Sequence, residues 1–123
     1  MTGPVRVTGP LLDVLEVFLQ AHADDNELHG WAIMKATKRA GPTVYGVLDR
    51  LEDAGWVTGR WEDQPADANT PRRRLYRLSP TGTVAARKLL ADRRPATLDR
   101  LAQQPHPRPA LLAWFRGLTG GTS

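Results

Sequence analysis

Gly41-Pro-Thr-Val-Tyr-Gly-Val-Leu-Asp-Arg-Leu-Glu-Asp-Ala-Gly55 carries helix signals at both ends and an apolar period between them. Pro42 stands at a first helical position, where its missing N–H costs nothing. Val44, Val47, Leu48 and Leu51 recur at the i, i+3, i+4, i+7 spacing of one buried helix face. Gly55 follows the last periodic residue, where a left-handed cap ends a helix. An advance of about 100° per residue turns Thr43, Gly46 and Arg50 outward and leaves Tyr45 and Asp49 on the flank. The outward face is therefore small, mixed and cationic at one point.

Upstream, residues 1–9 hold too many helix breakers and read as a flexible arm. A first helix is expected to start near Pro10, capped by Thr8 or Gly9. Its apolar residues Leu11, Leu12, Val14, Leu15, Phe18 and Leu19 cover more than half the circumference, wide for a helix that touches one small core. Either a second subunit or the C-terminal tail would cover the excess. Asp24-Asp25-Asn26 is a polar loop, and residues 28–39 are expected to form a second helix that buries Trp31, Ile33, Met34 and Thr37. His29, without a spaced partner, reads as a cap or packing residue rather than a metal ligand. Ala40-Gly41-Pro42 turns the chain into the helix described above. Two short helices joined this way, the second with a polar outward face, form a helix-turn-helix.

After Gly55 the period becomes strand-like. Residues 56–62 are rich in aromatic and β-branched side chains, with Val57 and Trp61 on one face. A breaker-rich connection, 64–71, leads to a second strand over 73–78, with Tyr76 and Leu78 on one face and Leu75 and Arg77 on the other. Helix, helix and then a hairpin with an arginine-rich shoulder make a winged helix-turn-helix. The expected fold class is mainly α with a small two-stranded antiparallel β-wing and an additional C-terminal helix. Ser79-Pro80 signals that helix by cap and proline, with Val84, Ala85, Lys88, Leu89 and Asp92 along one side. Further on, 97–103 reads as a short helix using Leu98 and Leu101, and Pro105 to Pro109 as a stiff spacer.

Composition bounds the function. Seventeen Lys and Arg against thirteen Asp and Glu give a net charge of +4, a balance that permits nucleic-acid binding without requiring it. The absence of cysteine excludes disulfides and thiolate metal sites. No run is long and apolar enough to span a membrane, and the first ten residues lack a signal peptide's apolar core, so a cytoplasmic location is expected. There is no nucleophile elbow, phosphate-cradling glycine loop or spaced histidine pair; neither catalytic residues, metal nor cofactor are expected.

With these elements in place, three stretches resemble the PadR family of transcriptional regulators: Glu27-Leu-His-Gly-Trp-Ala-Ile-Met-Lys35, Thr43 to Val57, and Pro71-Arg-Arg-Arg-Leu-Tyr-Arg-Leu-Ser-Pro-Thr-Gly82. Trp31, Val44 and Ser79 stand where family members typically carry tyrosine, isoleucine and threonine. The resemblance runs over residues 10–92 and implies a homodimeric regulator of double-stranded DNA, a repressor in the first instance, that dimerises through its C-terminal helices. The short, proline-broken C-terminus departs from the usual long dimerisation helix.

As a DNA surface, Thr43 and Tyr45 offer hydroxyls at a helix N-terminus, Gly46 allows close approach, and Arg50 reaches a phosphate or a guanine edge. Arg72, Arg73 and Arg74 would lie over the flanking backbone or minor groove, with Lys35 and Lys38 as weaker candidates. Dimer contacts are expected from Leu11, Leu12, Leu15, Phe18, Leu111, Trp114 and Phe115. Trp114 and Phe115 could instead cap the first helix or line a pocket for a small-molecule effector of unknown identity. Trp31, Trp56 and Trp61 read as packing residues. The implied organisation is an arm (1–9), a DNA-binding unit (10–82), a dimerisation segment (83–118) and a disordered tail (119–123). The competing expectation is a winged-helix module for a protein partner. Burial of Thr43, Gly46 and Arg50, or capture of the wing's guanidiniums by neighbouring acids, would count against DNA binding.

Overall fold

A computed structural model describes residues 5–63 and 72–103. Along the chain come α1 (Gly9–Ala23), β1 (Leu28–His29), α2 (Gly30–Thr37), α3 (Gly41–Asp53), β2 (Val57–Trp61), β3 (Arg74–Leu78), α4 (Pro80–Arg93) and α5 (Pro95–Gln103). The strands form one antiparallel sheet in the order β1-β3-β2. In its register Val57 faces Leu78, Gly59 faces Tyr76, and Trp61 faces Arg74.

Caps set the helix starts. The Leu11 N–H donates to Thr8 Oγ1 at 3.2 Å, opening α1 one residue before Pro10. At α4 the Gly82 N–H donates to Ser79 Oγ at 2.9 Å, and that hydroxyl donates to the Gly55 carbonyl at 2.6 Å. One serine thus caps α4 and ties it to the end of α3. Gly55 itself has φ +79°, the left-handed conformation that the pattern after Leu51 required. The turn between α2 and α3 is made without glycine: Lys38 takes φ 58° as the cap of α2.

α1 lies at the centre, touching α2, α3, α4 and β3. This accounts for its wide apolar stripe. Leu11, Leu12, Leu15 and Phe18 are all buried in the chain's own core with Val44, Val47, Leu48 and Leu51 of α3. The expectation that these four α1 residues form a seam with a second subunit is corrected by that burial. Leu111, Trp114 and Phe115 lie outside the described residues, as do Pro105 to Pro109.

Three other expectations change. Leu28 and His29 do not begin the second helix; they pair with Tyr76 and Leu75 as a third strand, and α2 starts at Gly30. Starting there, α2 buries Gly30 and Ile33, with Met34 partly buried, and carries Trp31 outward, 59% exposed. On α4 the buried residues are Gly82, Ala86 and Leu90, while Val84 is exposed. The small side is the inner one because the Trp56 carbonyl presses on it. A Cβ on Gly82 would stand 1.8 Å from that oxygen.

An ion cluster closes the back of the bundle. Asp13 on α1 accepts from Arg39 Nε at 2.9 Å and from Arg94 Nη1 at 2.8 Å, and Arg94 also donates to Glu16. Burial works to raise the Asp13 carboxyl, but hydrogen bonds from Arg94 and Arg39 outweigh it and hold the group below its ordinary range.

Candidate nucleic-acid interface

α3 buries four aliphatic residues and so fixes the direction of the rest of its surface. Thr43 and Arg50 are exposed, as is Asp49, and Tyr45 is 46% exposed. A Cβ built on Gly46 meets nothing within 4 Å, so nothing in the described fold requires glycine there. Thr43, Tyr45, Gly46 and Arg50 therefore share the open side of the helix. Arg50 has no ion-pair partner among the described residues.

The wing is more heavily paired than its run of arginines suggests. Arg73 donates from its backbone N–H and from Nε to Glu62 Oε1, at 2.9 and 3.0 Å. The hydrogen bond from Arg73 holds the Glu62 carboxyl below its ordinary range. Arg74 reaches back across Gly59 to Glu52 on α3, Nη2 to Oε2 at 2.9 Å. Its guanidinium lies 5.5 Å from the Trp61 ring centre and 5.8 Å from that of Tyr76. Arg60 is held in the same manner by both carboxylate oxygens of Glu27, which accept at 2.6 and 2.8 Å. Of the Arg72–Arg74 run, Arg73 and Arg74 are thus engaged by acids, which lowers the charge they offer to any ligand. Arg72 keeps an exposed guanidinium, 6.0 Å from the Trp61 ring centre. Lys35 sits on α2 with Nζ 4.5 Å from the Trp31 ring centre.

Arg72, Arg73 and Arg74 meet Trp31, Tyr45, Trp61 and Tyr76 in a groove of about 350 Å³ between the wing and the starts of α2 and α3, with Lys35 outside its lining. Tyr45 contributes to its wall, with its ring lying against Gly30, where a Cβ would come within 2.3 Å of the phenol oxygen. His29 caps α2, accepting the Ala32 N–H on Nδ1 at 3.3 Å, and stacks on Trp31 at 6.0 Å. Trp31 and Trp61 are exposed and line this groove, correcting their reading as packing residues; Trp56 does pack against the core. The structure thus brings Tyr45 together with Arg72, Arg73 and Arg74. Arg50 is not part of the groove's lining. Glu52, Glu62, Trp31 and Trp61 were not singled out as site residues from the sequence. The strand alternation that pairs Trp61 with Arg74 is the signal that could have found one of them.

The comparisons agree with this architecture. Residues 19–88 match the family model of the Transcriptional regulator PadR-like family, more than half of the chain. The chain belongs to the PadR-like family. Among solved structures, the PadR family regulator from hypervirulent Clostridium difficile R20291 superposes with a TM-score of 0.56 at 16% identity, over 75% of this chain and 95% of that one. MepR of S. aureus in its DNA-binding conformation gives 0.58 at 19% identity, over 95% and 81% of the two chains. The S. aureus MepR–DNA complex gives 0.54 at 24% identity, over 91% and 81%. At these identities the likeness is one of fold. No curated protein matches the chain. Among the described residues no helix of this PadR-family regulator is long and apolar enough to cross a membrane.

Proposed function

We propose that this PadR-family regulator binds double-stranded DNA as a homodimer, laying α3 in the major groove and the wing over the adjacent backbone, and that it acts as a repressor. The observation that carries the reading is the open side of α3: Thr43, Gly46 and Arg50 face solvent while the opposite side is wholly buried. A helix held by its inner face and bare on its outer one is suited to entering a groove. The fold likeness to MepR, which has been crystallised as a DNA complex, supports the same use. A two-fold dimer would meet a pseudo-palindromic operator with half-sites about 10 bp apart or a multiple of it.

Titration of a fluorescent duplex from the region upstream of its own coding sequence, with a scrambled duplex as control, tests the proposal. Tight binding to the first and weak binding to the second is expected at 150 mM salt. Equal binding to both would reject sequence-specific recognition. The pairing of Arg73 with Glu62 and of Arg74 with Glu52 lends some support to a second reading, a wing that meets a protein. Salt-sensitive retention on heparin with co-purifying DNA favours the first reading, and a stoichiometric co-purifying protein the second.

A further inference from the structure

We infer that the groove between the wing and the starts of α2 and α3 seats one sugar–phosphate strand of the duplex, with Trp31 and Trp61 packed on deoxyribose and Lys35 and Arg72 on the neighbouring phosphates. The inference rests on the DNA-binding reading above and extends it from the open side of α3 to the outer side of α2 and to Trp61 of the wing. Four large apolar side chains are exposed among the described residues, and three of them, Trp31, Tyr45 and Trp61, line this groove. Scattered exposure of single apolar residues needs no explanation, whereas their concentration in one place marks a contact surface.

The chemistry of the walls selects the occupant. Each exposed tryptophan of the groove has a cation at its ring: Lys35, beside the groove rather than in its lining, over Trp31, and Arg72 and Arg74 over Trp61. Apolar faces and positive charges therefore alternate, which matches a strand that alternates deoxyribose with phosphate. Glu52 already engages Arg74 and Glu62 engages Arg73, so Lys35 and Arg72 are the cations left for phosphate. The groove is also continuous with α3, because Tyr45 belongs to both. Backbone contacts of this kind position a protein on DNA without reading sequence.

The test is a set of anisotropy titrations of the full chain with its upstream duplex between 50 and 200 mM salt. Trp31→Ala with Trp61→Ala should lower affinity about tenfold at every salt concentration, from lost apolar contact alone. The plot of log affinity against log salt should shift down in parallel, because no cation has been removed. Trp31→Phe with Trp61→Phe should recover most of the loss. Arg72→Ala should instead flatten the slope, by roughly 0.9 per chain. Both tryptophans are exposed, and an unchanged circular dichroism spectrum and melting temperature would separate lost contact from lost fold. Wild-type affinity in the double alanine variant would overturn the groove assignment while leaving the DNA reading intact. Failure of the wild-type chain to bind any duplex would overturn the DNA reading itself and this inference with it.

Discussion

Two glycines on the same chain separate the demands of folding from those of binding. Gly82 has the Trp56 carbonyl where a Cβ would be, and that oxygen is backbone, already accepting from the Ser79 N–H at 2.9 Å. Gly82→Ala must push α4 away from the end of α3 and should cost about 2–3 kcal/mol, read as a lower urea midpoint. Gly46 meets nothing within 4 Å. Gly46→Ala on the exposed side of α3 should therefore stabilise the fold by about 0.5–1 kcal/mol, since alanine is the better helix former. Yet the same methyl group would stand between α3 and DNA, so duplex affinity should fall while the melting temperature rises. Opposite signs from one substitution would identify Gly46 as a binding residue; a variant that gains stability and keeps full affinity would remove it from the interface.

At the scale of elements, α1 is joined to the C-terminal ends of α2 and α4 by the carboxylate of Asp13, which bridges Arg39 and Arg94. Asp13→Asn should lose about 1–2 kcal/mol at neutral pH, because charge-assisted hydrogen bonds to two guanidiniums become neutral ones. The folded-state carboxyl lies below its ordinary range, so its contribution is complete above the unfolded value, near pH 4, and fades as pH falls through the folded one. Urea midpoints of wild type and variant should therefore converge below about pH 4; a gap constant down to pH 3 would show that packing, not charge, is at stake. The sequence made α3 legible because its apolar period, proline start and glycine end all agree. It made β2, β3 and the Ser79 cap legible for the same reason. It concealed β1, because two residues become a strand only through Tyr76 and Leu75, far along the chain. It misled on α1 and α4, since a broad apolar stripe looks the same whether a partner subunit or the chain's own elements cover it. Gly82 and Ala86 carry no apolar signal, though they form the inner side of α4. Tyr45, Arg72 and Trp61 meet only once the wing folds back beside α2, which is why the candidate groove was not legible.

For the whole molecule, the formal charge of +4 says less than its distribution. Arg39, Arg60, Arg73, Arg74, Arg77 and Arg94 each pair with an Asp or Glu of another segment of the chain, so much of the basic complement stitches elements together. What faces outward and unpaired around α3 and the groove includes Lys35, Arg50 and Arg72. If these three meet phosphates, affinity should fall by roughly 1.5 decades per chain between 50 and 200 mM salt. On the proposed reading, Glu62 and Glu52 would act as a brake on non-specific binding, each holding a guanidinium that could otherwise meet a phosphate. Glu62→Gln tests that role, because the Arg73 side chain is 59% exposed even within the pair. Release of that cation should steepen the slope by roughly 0.9 per chain and strengthen binding to a scrambled duplex more than to the operator, narrowing specificity. An unchanged slope would place Arg73 away from the DNA and make its pairing with Glu62 a matter of wing stability alone.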